Sequence, residues 1–345
     1  MTGLPLLGPA GTGPALRRLR RIATLLTTAT LAVTLSGCGL LGGSTNTGPG
    51  AAGDRGLERD KVVVGALPVA DVAPLHLARE RGYFSAAGLE VEIRPVPSGP
   101  EAVTLLLGGG IDIAFSTYPP FYTATAKGTG KLRIVAEALA AKAGTAVLMA
   151  APNSPVRQPG DLTGRKVAVT STGSISDVSV MAAARMHGVD PASISFVPMP
   201  FPNMETAMQQ GSVDAALLAE PFVTKASKNI GAREVFDTAT GPTAGLPLSG
   251  YGARADFVDR NPKVVAAFQR ALARAQAEAE ADRSLVEAQL QKFAGIDGET
   301  ARLMKLGSYP TSLEPSRLQR VPNLLFEFGV LKQQVEAKDL IVQPR

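Results

Sequence analysis

The sequence predicts an α/β protein built from two similar lobes, and three observations carry that prediction. The chain repeats itself once, at an offset that stays between 102 and 106 residues. Within each copy, apolar runs of 4 to 6 residues bounded by Gly and Pro alternate with longer stretches of helical spacing. Such alternation favours a parallel sheet with helices on its faces. Finally, about 285 of the 345 residues follow a Gly/Ser/Thr/Pro-rich stretch, enough for one large or two modest domains.

The text before that stretch is of another kind. Arg17, Arg18, Arg20 and Arg21 stand in a segment without acids and precede an apolar run over 22–35. A basic region followed by an apolar one is a signal-peptide pattern. At 14 residues the run is short for a bilayer span, which needs about 20. Leu35-Ser36-Gly37-Cys38 resembles a bacterial lipobox, in which the cysteine thiol receives a diacylglycerol and becomes the mature N-terminus. Attached lipid contributes about 0.8 kcal/mol per buried methylene, so two or three chains hold a protein at a membrane. The four arginines supply +4 of the +5 net charge, leaving +1 once 1–37 is removed. The basic balance therefore gives no reason to expect nucleic acid as a partner. Cys38 is the only cysteine, which excludes a disulfide framework, and two histidines, His76 and His187, leave little room for zinc. No metal or cofactor is expected.

The repeat then unfolds in order. "KVVVGALPVADVAPLHLARERG" at 61–82 lies beside "KVAVTSTGSISDVSVMAAARMHG" at 166–188, each passing through Asp-Val, at Asp71 and Asp177, to Ala-Arg-x-x-Gly. Further on, Pro97 matches Pro200, Glu101 matches Glu205, and Asp112 matches Asp214. Each copy reads strand, helix, strand, helix, strand. After the second copy, "GLPLSGYGARADFV" reads as an extended return. Pro262, in the first turn after a capping Asn261, opens a long helix, with shorter helices around 299–306 and 317–328. The predicted division is 1–37 signal, 38–59 linker, 60–143 first part of lobe 1, 144–247 lobe 2, and 248–345 return and C-terminal helices packed on lobe 1. The crossings between lobes fall near 141–151 and 246–251.

Loops at the carboxyl ends of parallel strands gather at one sheet edge and form a ligand crevice, so two facing lobes share one cleft. The candidate ligand-binding residues follow from that geometry. Ser98 precedes a helix start, as a cap or a ligand contact. Ser116, Thr117 and Tyr118 put three hydroxyls before Pro119-Pro120, a cradle for an anion or a polar group. Ser171, Thr172, Gly173 and Ser174 form the matching loop of the second copy, where turn amides can hold a sulfonate or carboxylate. Glu220 lies at the crevice end of a strand and argues for a ligand that also carries an amine, although a neighbouring Lys could take it instead. Tyr251 sits where the returning strand reaches the space between the lobes. Asp71 and Asp177 read as helix-start residues favoured by the dipole. Asp112 and Asp214 read as turn formers rather than an acid/base pair, and no catalytic residue is assigned.

"LHLARERGYFSAAGLEVEIRPVPSGPEAVTLLLGGGIDIAFS", "DLTGRKVAV", "GSVDAALLAEPF" and "NPKVVAAFQRAL" resemble the solute-binding proteins of bacterial importers for nitrate, taurine and aliphatic sulfonates. That group also includes binding proteins for thiamine-precursor pyrimidines. The resemblance spans nearly all of 60–330. It implies a periplasmic-binding-protein fold with two crossovers (type II) and a cleft that closes on one small molecule. It further implies a lipoprotein, anchored outside the cell through Cys38, that hands its ligand to an ABC permease driven by its ATPase. A pyrimidine-type ring is the alternative ligand. An enzyme or a sensor subunit on the same fold is the alternative class, against which stands the lack of G-x-S-x-G, H-E-x-x-H or a phosphate loop.

Overall fold

The computed structural model describes residues 56–343; the expected signal segment, Cys38 and most of the expected linker lie outside them. The chain begins with β1 (Lys61–Ala66), α1 (Ala73–Glu80), α2 (Tyr83–Ala86), β2 (Glu90–Pro95), α3 (Gly99–Leu107), β3 (Ile113–Thr117), α4 (Tyr118–Ala126) and β4 (Leu132–Ala140). It then crosses to β5 (Ala146–Ala150), β6 (Lys166–Val169), α5 (Ile175–Met186), β7 (Ser195–Pro198), α6 (Phe201–Gln209), β8 (Ala215–Ala219), α7 (Phe222–Ile230) and β9 (Arg233–Asp237). It returns through β10 (Pro247–Arg254) to α8 (Ala255–Arg260), α9 (Pro262–Ala281), α10 (Arg283–Phe293), α11 (Gly298–Leu303), α12 (Pro315–Leu318) and α13 (Arg320–Glu327).

Two five-stranded sheets result, ordered β2-β1-β3-β10-β4 and β7-β6-β8-β5-β9. The repeat explains why the orders correspond strand for strand. In each, the first strand of the copy lies parallel between the second and third, and one antiparallel strand follows. Val64 stands opposite Ile113 and Val167 opposite Ala215, so the first strands correspond at an offset of 103, two residues from the 105 that setting Lys61 beside Lys166 gives. Asp112 and Asp214 perform the same task in the two lobes. Their carboxylates accept from the backbone amides of Val63 and Lys166, each at 2.8 Å, which fixes the start of the third strand of each copy against the first.

The second sheet is buried on both faces. Successive side chains of a strand point to opposite sides, so Leu148, Val167 and Leu217 pack with Val180 and Ala184 of α5. Val147, Ala168 and Leu218 pack with Met204, Met208 and Ala226 of α6 and α7 on the other side. That is why these strands read as continuous apolar runs rather than alternating ones.

The crossings run side by side. Residues 141–145 lead out of β4, and residues 238–246 lead back into β10, with the Ala141 amide donating to the Leu246 carbonyl at 2.8 Å. The second crossing thus precedes the predicted 246–251, because β10 is already paired from Pro247 onward between β3 and β4. The helical tail packs on the first lobe, where α9 and α10 cover α1 and α2. One cap differs from expectation. Asn261 makes no side-chain cap; the amides of Lys263 and Val264 instead donate to the carboxylate of Glu58, far upstream.

Candidate functional site

A cavity of about 740 Å³, counting its mouth, lies between the carboxyl-end loops of the two sheets. The first lobe contributes Leu67, Val69, Asp71, Pro100, Phe115 and Thr117, among others, and the second Thr145, Thr170, Ser171, Ile175, Ser176 and Ser179. Most of its wall is apolar, with Phe115 and Phe201 as its aromatic surfaces and a few hydroxyls between them. The mainly apolar lining with a few hydroxyls and one carboxylate is that of a small-molecule site.

Of the residues singled out from sequence, Thr117 and Ser171 line this cavity. The Ser171 hydroxyl is buried without a protein partner. Ser116 lies one layer behind the wall, since a methyl group placed on Gly99 would come within 2.3 Å of its Oγ. That hydroxyl too has no protein partner. Ser98 is a cap, its side chain accepting from the Glu101 amide at 3.3 Å.

The loop of 171–174 is committed to its own helix. Ser174 caps α5 by accepting from Ser176, and the amides of Gly173 and Ser174 donate to the Asp177 carboxylate at 2.7 and 2.8 Å. A capping box of this kind takes up the donors that an anion would need. Thr172 is exposed and does not line the cavity. Two of the amides expected in an anion cradle, those of Gly173 and Ser174, are therefore taken up from within.

Tyr118 and Tyr251 belong to the core of the first lobe. Tyr118 opens α4 but turns under the sheet, with its hydroxyl beside Gly250. Tyr251 lies between Phe115 and Phe268, each 5.7 Å away. Glu220, 3% exposed, also stays out of the cavity. Its Oε1 accepts from the Thr224 hydroxyl at 2.8 Å and from the Lys305 amide at 3.0 Å, and its Oε2 from the Thr224 amide. Burial raises its pKa, and these donors oppose the rise.

Sequence reasoning undervalued Asp71. Its repeat partner Asp177 is a helix-start residue, as expected, but Asp71 lines the cavity and accepts from Ser249 Oγ on β10 at 2.5 Å. Burial pushes its carboxyl up, against the pull of that hydroxyl and of its own backbone amide. Thr145, Thr170, Ser176 and Ser179 were missed as well. The recoverable signal was Ser176 and Ser179, three residues apart and hence on one face of α5.

His76 is stacked on Phe293 at 4.0 Å, and burial holds its pKa down at about 4, so it serves packing in the first lobe. Among the described residues, no group of three or more His, Cys, Asp or Glu could hold a metal ion, and no helix is long and apolar enough to cross a membrane.

The sequence profile of the NMT1-like family matches residues 55–290, which takes in both sheets and the cavity wall. The chain belongs to the NMT1-like family. It is 26% identical over 279 residues to the putative aliphatic sulfonates-binding protein of Escherichia coli K12, an alignment covering 79% of this chain and 85% of that one. It is 27% identical over 247 residues to the taurine-binding periplasmic protein of the same organism, covering 69% and 75%. The solved structure of the alkanesulfonate-binding protein SsuA from Xanthomonas axonopodis pv. citri, bound to MOPS, superposes with a TM-score of 0.71 at 18% identity. That match covers 83% of this chain and 99% of SsuA, and it establishes the fold: this NMT1-like chain has the two-lobed periplasmic-binding-protein architecture.

Proposed function

We propose that this protein is the extracytoplasmic substrate-binding component of an ABC importer. It captures a small molecule between its lobes and delivers it to the permease, which the ATPase drives. The observation that carries this reading is a cavity walled by both lobes at the equivalent edges of two repeated sheets. A ligand that touches both lobes stabilises the closed arrangement over the open one by its differential affinity, and closure is the state a permease can recognise. Relatives named for binding aliphatic sulfonates and taurine support the reading, and their names describe binders rather than enzymes.

On this reading, residues 1–37 direct export, Cys38 carries lipid at the outer face of the membrane, and 38–59 tether the folded part. Residues 60–143 and the return from 248 form one lobe and 144–247 the other, with bending at the adjacent crossings. Ser171 and Thr117 are the predicted site residues that retain a ligand role, joined by Asp71.

Two measurements test the proposal. In a strain lacking the gene, uptake of at least one solute from a metabolite mixture should fall, return on complementation, and deliver that solute chemically unchanged. Uptake unaltered across the mixture refutes the importer assignment. Labelled palmitate should enter the wild-type chain but not Cys38→Ala, and equal labelling of the two refutes the anchor.

A further inference from the structure

We infer that the ligand this cleft selects is a protonated amine on a compact apolar body, with Asp71 as its counter-charge, rather than a sulfonate or nitrate. The inference rests on the importer reading and names the substrate class of the same cavity. The first observation is its charge inventory. Asp71 is the one ionisable side chain on the wall, and among the described residues no Lys, Arg or His lines it.

The second observation concerns the donors that would otherwise replace a cation. Pro100 in the first turn of α3 has no amide hydrogen, and Ser98 already takes the Glu101 amide. Pro119 and Pro120 likewise remove amide donors from the start of α4. In the second lobe the amides of Gly173 and Ser174 go to Asp177, that of Ser176 to Ser174 Oγ, and that of Thr170 to Ser176 Oγ. With these amides committed, an anion entering here is left with hydroxyls and the few remaining loop amides, and with no cation to offset its lost hydration. It also meets Asp71 directly, with Asp177 fixed behind the opposite loop.

The third observation is what the wall does offer. A primary ammonium group has three donors and no acceptor. Asp71 supplies the charge, and the partnerless hydroxyl of Ser171 and that of Thr117 are further acceptors on the same wall. Phe115 and Phe201 present aromatic surface to a cation or to its hydrocarbon body. The Ser249 hydroxyl, donating to Asp71 at 2.5 Å, holds that carboxylate in place from β10.

The test is calorimetric titration of the full chain at pH 7 and low salt. One set of probes is a series of primary amines from butylamine to phenethylamine; the other is butanesulfonate, taurine and nitrate. At least one amine should bind and raise Tm, while butanesulfonate and nitrate should not. Asp71→Asn should weaken the amine at least tenfold, equivalent to about 1.4 kcal/mol. Should that variant fold poorly, Ser171→Lys serves instead: a cation on the opposite wall should weaken the amine tenfold and admit butanesulfonate. Failure of every amine to bind overturns the inference. So does tighter binding of butanesulfonate or nitrate than of any amine, or amine affinity within twofold of wild type in both variants. The deletion strain separates this from the importer reading. Uptake that falls there while no amine binds sinks the ligand class alone, and amine binding without any loss of uptake sinks the importer alone.

Discussion

Replacing Glu220 with Gln tests whether that side chain fastens the lobes or touches ligand. The three donors it serves are the Thr224 hydroxyl and the amides of Thr224 and Lys305. Glutamine fits the same space but offers one acceptor oxygen and one NH2. In the better orientation its oxygen keeps the Thr224 hydroxyl and the Lys305 amide, which leaves the Thr224 amide facing an N–H. An orphaned buried donor costs roughly 1–3 kcal/mol, and the surviving bonds weaken by about 1 kcal/mol in losing a charged acceptor. Removing a buried carboxylate offsets part of this. The expected net loss is about 2 kcal/mol, and at about 2–4 °C per kcal/mol for a domain of this order, Tm should fall by about 4–8 °C. Differential scanning calorimetry at pH 7 reads the shift, and titration with the imported solute reads affinity, which should stay within threefold. A Tm within 1 °C of wild type together with a tenfold loss of affinity would refute the reasoning and return Glu220 to the ligand.

Three more predictions bear on other parts of the fold. Gly252→Ala should destabilise by about 1–3 kcal/mol, because its new methyl would sit 2.4 Å from Phe121 in a fully buried core; an unchanged urea midpoint would show that Phe121 yields freely. Glu137, paired with Arg317 at 2.6 Å but raised by burial to about 8, binds its proton more tightly folded than unfolded. Its contribution is therefore present in full below about 4.5 and lost as pH rises through 8, so Glu137→Gln should flatten the fall of stability across that window. Parallel stability curves for the two proteins would contradict this. Ser171→Phe should place bulk in the loop that lines the cavity and weaken the imported solute at least tenfold while the protein still unfolds cooperatively; full affinity would remove that loop from the site.

What was legible in the sequence was whatever the repeat states locally. Asp112 and Asp214 each accept from an amide of the first strand of their copy, although Asp112 also pairs with Arg59, and the alternation of strands and helices was readable in the same text. Function hid where the copies share a letter but not an environment. Asp177 finds amide donors three and four residues before it in Gly173 and Ser174. Asp71 follows "LPVA", without that loop, and its partner Ser249 lies 178 residues away on the returning strand. Glu220 is similar, because one of its partners, Lys305, is 85 residues downstream. Tyr118 opens a helix and Tyr251 lies within β10, and both turn into the core, because the face a residue takes depends on the neighbouring layer rather than on local spacing.

The tail adds a constraint on how the cleft can work. Although it packs on the first lobe, it reaches the second on separate sides. Lys228 of α7 donates to Glu299 and Thr300 at 2.9 and 3.0 Å, and Arg185 of α5 pairs with Glu327 at 2.9 Å while covering Phe328. The carboxylates Glu299 and Glu327 are well exposed, so each such ion pair is worth at most about 1 kcal/mol and can exchange with water as the lobes part. The Glu220 bond to the Lys305 amide is of another kind, being part-buried and accepted by the carboxyl group of a buried residue, and the Glu220 carbonyl also accepts from Ala70 next to Asp71. Opening that separated Glu220 from Lys305 would take one donor from a buried carboxyl group unless water followed it in. The motion that costs least therefore pivots about this Glu220 contact and the paired crossings at 141–145 and 238–246, and parts the lobes at the exposed ion pairs. Asp71, one residue from the pivot, would then move little between open and closed states, while the Ser171 loop on α5 would swing toward it to complete the wall.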